Sequence, residues 1–148
     1  MKVLNKKHKV KRYFKKDKFS NLSEKEVQFL SEFVYNYCVK NFGYNNRKKT
    51  QLTYELQYKD SKYYGWYCSL RNKIIIHTKI CKTIGEFVNT FIHEYTHSTQ
   101  PCLTKYDKLL EKYGYANHPF EIEAANNETI HGDICLREFR KTLVKTKF

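Results

Sequence analysis

Residues 93–97 read His93-Glu94-Tyr95-Thr96-His97. On an α-helix, positions four apart share one face, so the imidazoles of His93 and His97 can bind one divalent ion. Glu94 places a carboxylate beside that ion, where it can take a proton from an attacking water. Imidazole nitrogen suits zinc, and a catalytic zinc needs three protein ligands and one open position. The pattern therefore demands a helix, a third ligand and a cleft. Its bland alternative is a pair of ordinary helix histidines. Burying two histidines and a glutamate together without partners would be costly, and a bound ion supplies the partner.

The helix is announced locally. Thr83 and Glu86 form a capping box, Phe87, Val88, Phe91, Ile92 and Tyr95 supply a broad apolar face, and Pro101 ends the element by Gln100. A helix over 83–99 is expected. Upstream, Ser23 and Glu26 make a second capping box, with Leu22 and Val27 at the staple positions. An apolar stripe runs from Val27 through Leu30, Phe33, Val34, Tyr37 and Cys38 to Phe42, and Gly43 is the stop. Between these helices the texture changes to aromatic and β-branched residues. Strands are expected near 51–58, 63–69 and 73–79, with turns at KDSK and RN. The short links suggest an antiparallel meander. LTKYDKLLEKYG reads as a short amphipathic helix stopped by Gly114. His118-Pro119 then opens a last helix, with Gly132 a candidate break. The reading is an α+β domain at 21–148 behind a basic arm at 1–20.

Composition narrows the class. The chain has 148 residues, 41% apolar and 16% aromatic, enough for one packed core and unlike a disordered chain. There is no run of 18 apolar residues and no apolar signal core, so neither membrane insertion nor secretion is expected. Five scattered cysteines (Cys38, Cys68, Cys81, Cys102, Cys135) without a C-x-x-C read as reduced thiols in a cytoplasmic compartment. Net charge is +13, and residues 1–18 hold nine Lys/Arg against one Asp. Residues 137–148 add five against one Glu. Such termini can bind nucleic acid or another polyanion, or simply stay solvated. Heavy use of Lys, Asn, Tyr and Ile fits an AT-rich genome of phage or viral type. A monomer is expected.

A helix with H-E-x-x-H followed by His118-Pro119-Phe120-Glu121-Ile122-Glu123-Ala124 resembles the gluzincins, zincin metallopeptidases whose third ligand is a glutamate. The likeness spans roughly residues 51–135. It implies a zincin-like fold, bound Zn2+, hydrolysis of peptide or protein substrates, His93 and His97 as ligands, and Glu94 as general base. Compact domains of this kind are common in phages and mobile elements. Many gluzincins carry E-x-x-A-(D/N). Glu121 and Ala124 match, but Ala125 stands where an acid or amide would orient a histidine. Glu123 points about 200° away from Glu121 on a helix, and has Asn127 four residues on. Glu121 is the expected third ligand and Glu123 the alternative. His131-Gly132 is similar, more weakly, to the His-Gly of SprT-like DNA–protein-crosslink proteases. His131 and His118 therefore stand as further options.

In larger gluzincins a Tyr or His donates to the developing oxyanion. Here Tyr113, Tyr115, His118 and His131 are the candidates. Zincin substrates add as a strand to a sheet edge beside the motif helix, and residues 72–79 (NKIIIHTK) are the expected edge. Trp66 is expected in the core, and His77 on a strand facing solvent or the groove. The competing class is a basic nucleic-acid-binding module with a structural zinc. A structural site closes all four positions, which leaves the Glu94 carboxylate without a task.

Overall fold

The computed structural model describes residues 13–145; the start of the basic arm (1–12) and residues 146–148 lie outside the described residues. Helix α1, Glu24–Phe42, begins at the expected box: Ser23 Oγ accepts from Glu26 N (3.2 Å) and Glu26 Oε1 accepts from Ser23 N (3.1 Å). It ends at Gly43, whose φ of 71° suits glycine. Strands β1 (Thr53–Gln57), β2 (Gly65–Cys68) and β3 (Lys73–His77) follow. Helix α2, Ile84–Thr99, carries the H-E-x-x-H motif behind the Thr83–Glu86 capping box. Helices α3 (Leu103–Tyr113) and α4 (Pro119–Lys145) complete the chain. The fold is α+β.

The expected meander is wrong in its order. The sheet runs β1-β3-β2, with β3 parallel to β1 and antiparallel to β2. Ile74, Ile75 and Ile76 are all fully buried, and a run without polar alternation fits a central strand covered on both faces. Asn72 fixes the arrangement. It takes φ 47° in the β2–β3 turn, and its side chain donates to Thr50 O (2.7 Å). Its carbonyl accepts from Thr53 N (3.1 Å), which draws the start of β1 alongside β3. Residues 72–79 are therefore the middle of the sheet, and β2 is the edge beside the motif helix. Gly65 lets β2 sit there: an added Cβ would lie 2.6 Å from Ile75 O and 3.1 Å from Thr90 Cγ2.

The apolar face of α2 centres the core. Phe87, Phe91, Ile92 and Tyr95 pack with Leu30, Val34 and Cys38 of α1, Ile74 and Ile76 of β3, and Leu136 and Phe139 of α4. Each large side chain so buried contributes roughly 1.5–3 kcal/mol. Helix α4 does not break at Gly132. The missing side chain instead leaves room for Asn89 of α2, so the two helices approach closely. The last part of the arm packs on the domain: Tyr13 and Phe19 are buried, and Arg140 donates to Tyr13 O (3.0 Å). Helix α3 differs from the others in having no buried residue.

His77 is neither solvent-facing nor in a groove. It is buried, with Nδ1 2.9 Å from Tyr63 O. The described cysteines are all free, and only Cys102 is exposed. Among the described residues no helix is long and apolar enough to cross a membrane.

Candidate metal centre

Four residues apart on α2, His93 and His97 point the same way, and the first turn of α4 brings Glu121 against both. His97 Nε2 lies 2.7 Å and His93 Nε2 3.3 Å from the same oxygen, Glu121 Oε1. The three ligand atoms lie within 4.8 Å of one another, a group that could hold a metal ion. Glu123, the alternative ligand, is exposed and accepts from Gln100 Nε2 (3.2 Å) instead.

The far nitrogens of both rings are engaged. His93 Nδ1 is 2.9 Å from Glu128 Oε2, and His97 Nδ1 is 2.7 Å from Gln100 Oε1. Both partners accept, so both Nδ1 atoms carry hydrogen, and the two Nε2 atoms are left to meet Glu121: they donate to it when the rings are protonated and are free to bind a cation when they are not. Glu121 Oε2 is buried and has no hydrogen-bond partner among the described residues. Two imidazole Nε2 atoms converging on a buried carboxylate whose other oxygen is orphaned make a donor set that fits a metal.

Electrostatics agree. Burial alone would lower the His93 pKa, but hydrogen bonds to Glu121 and Glu128 outweigh it and push it up to about 10. His97 is also raised against the pull of burial, chiefly by Glu121. Burial would raise Glu121, yet the two histidines hold it down at about 2. The three shifts have one origin, the pairing of protonated imidazoles with the Glu121 carboxylate, and a bound cation would take the place of those protons. Glu94 behaves differently: burial raises its carboxyl to about 7, partly offset by the two histidines.

These groups open on a cleft of about 280 Å³. One wall is β2 and its turn, through Gly65, Trp66, Tyr67 and Ser69. The other is Pro101, Leu103 and Tyr106, with Tyr115 and Phe120 at the end. Trp66 is therefore a wall residue, 44% exposed, and not core. Leu52, Ile74 and their neighbours already fill the core side of the sheet.

Of the four candidate oxyanion donors, only Tyr115 lines the cleft. Burial raises its phenol, and the charges of Glu121 and Glu94 add to the effect. His118 is fully buried and saturated: Nδ1 accepts from Phe120 N (3.0 Å) and Nε2 donates to Tyr106 O (2.9 Å). It pins α3 to the start of α4. His131 Nδ1 pairs with Tyr37 Oη (2.8 Å) and its ring packs on Phe42, away from the cleft. Neither can be the third ligand. Tyr113 is 43% exposed, outside the cleft lining.

Tyr106 and Gln100 of the cleft lining and Glu128 beside His93 are among the residues that the sequence does not single out. Glu128 stands seven residues after Glu121, two helical turns on the same face, and that spacing was the available signal. Asn127, considered as an orienting partner, donates to Thr96 Oγ1 (3.0 Å) instead. Comparison with protein-family models, curated proteins and solved structures gives no match for this chain.

Proposed function

We propose that this chain is a small zinc-dependent endopeptidase of zincin type, with His93, His97 and Glu121 as metal ligands and Glu94 as general base. The observation that carries it is the convergence of three ligand atoms within 4.8 Å, beside a buried Glu94, on the floor of an open cleft. Zinc held by these residues would supply Lewis acidity, acidifying water and polarising a substrate carbonyl. Glu94 takes the proton of the attacking water and passes it to the leaving amide nitrogen. Burial pushes the Glu94 carboxyl up to about 7, and a cation beside it would pull it back toward the ionised form that a general base needs. The Tyr115 hydroxyl, kept protonated, donates to the oxygen that gains charge.

The substrate backbone lies along β2. That strand is the sheet edge at the cleft, and its outer side has no strand partner among the described residues. An extended peptide can add there by main-chain hydrogen bonds. A structural zinc site would be closed by a fourth ligand. Opening onto a 280 Å³ cleft favours the enzyme over a nucleic-acid-binding module with structural zinc.

The test is cleavage of an unstructured protein such as casein by the purified chain. Activity should vanish with a chelator, return with zinc, and be absent in Glu94→Gln. Cleavage that survives both chelation and Glu94→Gln would reject the proposal.

A further inference from the structure

We infer that Glu128, with Gln100 and Glu123, positions the two histidines for metal, replacing the acid or amide that the gluzincin likeness would put at residue 125. This rests on the metal-site reading above. Ala125 cannot serve, since its methyl group accepts no hydrogen bond, and its position faces solvent. The packed face of α4 passes through Glu121, Ala124, Glu128, Cys135 and Phe139, so the position four after Glu121 turns away and the position seven after it turns in.

The pairing of the two helices explains why this residue meets His93. Gln100 reaches Phe120 and Glu123, His97 meets Glu121, Thr96 meets Asn127, His93 meets Glu128, and Asn89 lies against Gly132. The order rises on α4 as it falls on α2, so the helices run antiparallel. A group that reaches the outer nitrogen of His93 must therefore lie beyond Glu121 on α4. One that reaches the outer nitrogen of His97 must lie at the C-terminal end of α2, which is where Gln100 stands.

The two devices differ chemically. His93 donates Nδ1–H to a carboxylate at 2.9 Å, a charge-assisted bond that makes Nε2 a stronger donor to metal. His97 donates to a neutral amide oxygen at 2.7 Å. That amide cannot turn over without loss, because its nitrogen is held by Phe120 O (2.9 Å) and Glu123 Oε1 (3.2 Å). Glu123 thus acts at one remove, through Gln100. Together these hydrogen bonds hold the proton of each neutral ring on Nδ1, so that the two Nε2 atoms, which both meet Glu121 Oε1, are the ones available to a metal.

The experiment measures zinc affinity of the full chain by competition with a chromophoric chelator. Long-range proton–nitrogen NMR of the imidazoles reads the tautomers in parallel. Wild type should bind zinc with Nδ1 protonated in both rings. Glu128→Leu and Gln100→Leu should each weaken zinc about 10–100-fold. Each should also loosen the tautomer of its own histidine only, Glu128→Leu that of His93 and Gln100→Leu that of His97. Glu128→Gln, which keeps an acceptor oxygen, should restore most of the affinity that Glu128→Leu removes. Glu123→Ala should cost less than Gln100→Leu, since Phe120 O still holds the amide. Thermal unfolding of each variant separates misfolding from impaired positioning, and Glu128→Gln preserves the side-chain shape. If wild type binds zinc and the leucine variants bind it equally well with unchanged tautomers, the positioning role is overturned while the metal site stands. If wild type binds no zinc, the metal-site reading fails and this inference with it.

Discussion

Replacing Gly65 with alanine perturbs the seat of β2 against the motif helix. The new Cβ would lie 2.6 Å from Ile75 O, 3.1 Å from Thr90 Cγ2 and 3.5 Å from Glu94 Cγ. The first clash is with a backbone oxygen, which has no rotamer to escape into, so β2 must move outward from β3 and α2. Overpacking of this kind costs ~1–3 kcal/mol. Stiffening the unfolded chain returns ~0.4–1 kcal/mol, and a net destabilisation remains. The same shift disturbs Glu94 and the strand that would hold substrate, and a displacement of ~1 Å in a reacting group costs up to ~10²-fold in rate. Circular dichroism melts and casein turnover on the purified variant measure both effects. A Gly65→Ala protein with wild-type Tm and wild-type turnover would refute the close packing and the cleft wall built on it.

Glu94→Gln should keep its fold and its zinc while turnover falls ~10²–10⁴-fold, the worth of general-base proton transfer; a stopped peptide assay with parallel metal analysis checks it. Tyr115→Phe should lower kcat by up to ~10²-fold with little change in KM, as expected when an oxyanion donor is removed, whereas His131→Gln should leave steady-state kinetics unchanged. If the basic termini recruit the protein to nucleic acid, deleting residues 1–12 should weaken DNA retention on filters. The log–log salt slope should flatten by roughly 0.9 for each phosphate that the shortened chain no longer neutralises. Cleavage of a short free peptide should be unaffected by that deletion.

Local chemistry made much of the helical frame legible. The boxes at Ser23–Glu26 and Thr83–Glu86 each involve residues three apart, and His93 and His97 share a face whatever the rest of the chain does. The choice between Glu121 and Glu123 stayed open in the sequence because the rotation of α4 is set by packing, notably by Gly132 against Asn89. Strand order was hidden for a similar reason. It depends on Asn72 reaching back to Thr50, a hydrogen bond spanning 22 residues that no short pattern announces. His118 and His131 looked chemical because their side chains are versatile. Saturation by Tyr106 and Phe120, and engagement by Tyr37, became visible only in three dimensions.

If His93, His97 and Glu121 hold the metal, one zinc ion should bind per chain and depend on all three side chains. Elemental analysis of protein purified in the presence of zinc and then desalted measures this stoichiometry. Wild type and Glu123→Gln should each hold one zinc per chain, and His93→Ala, His97→Ala and Glu121→Gln should lose it. Wild type without zinc, or variants of these three residues that retain it at full stoichiometry, would rule this metal site out.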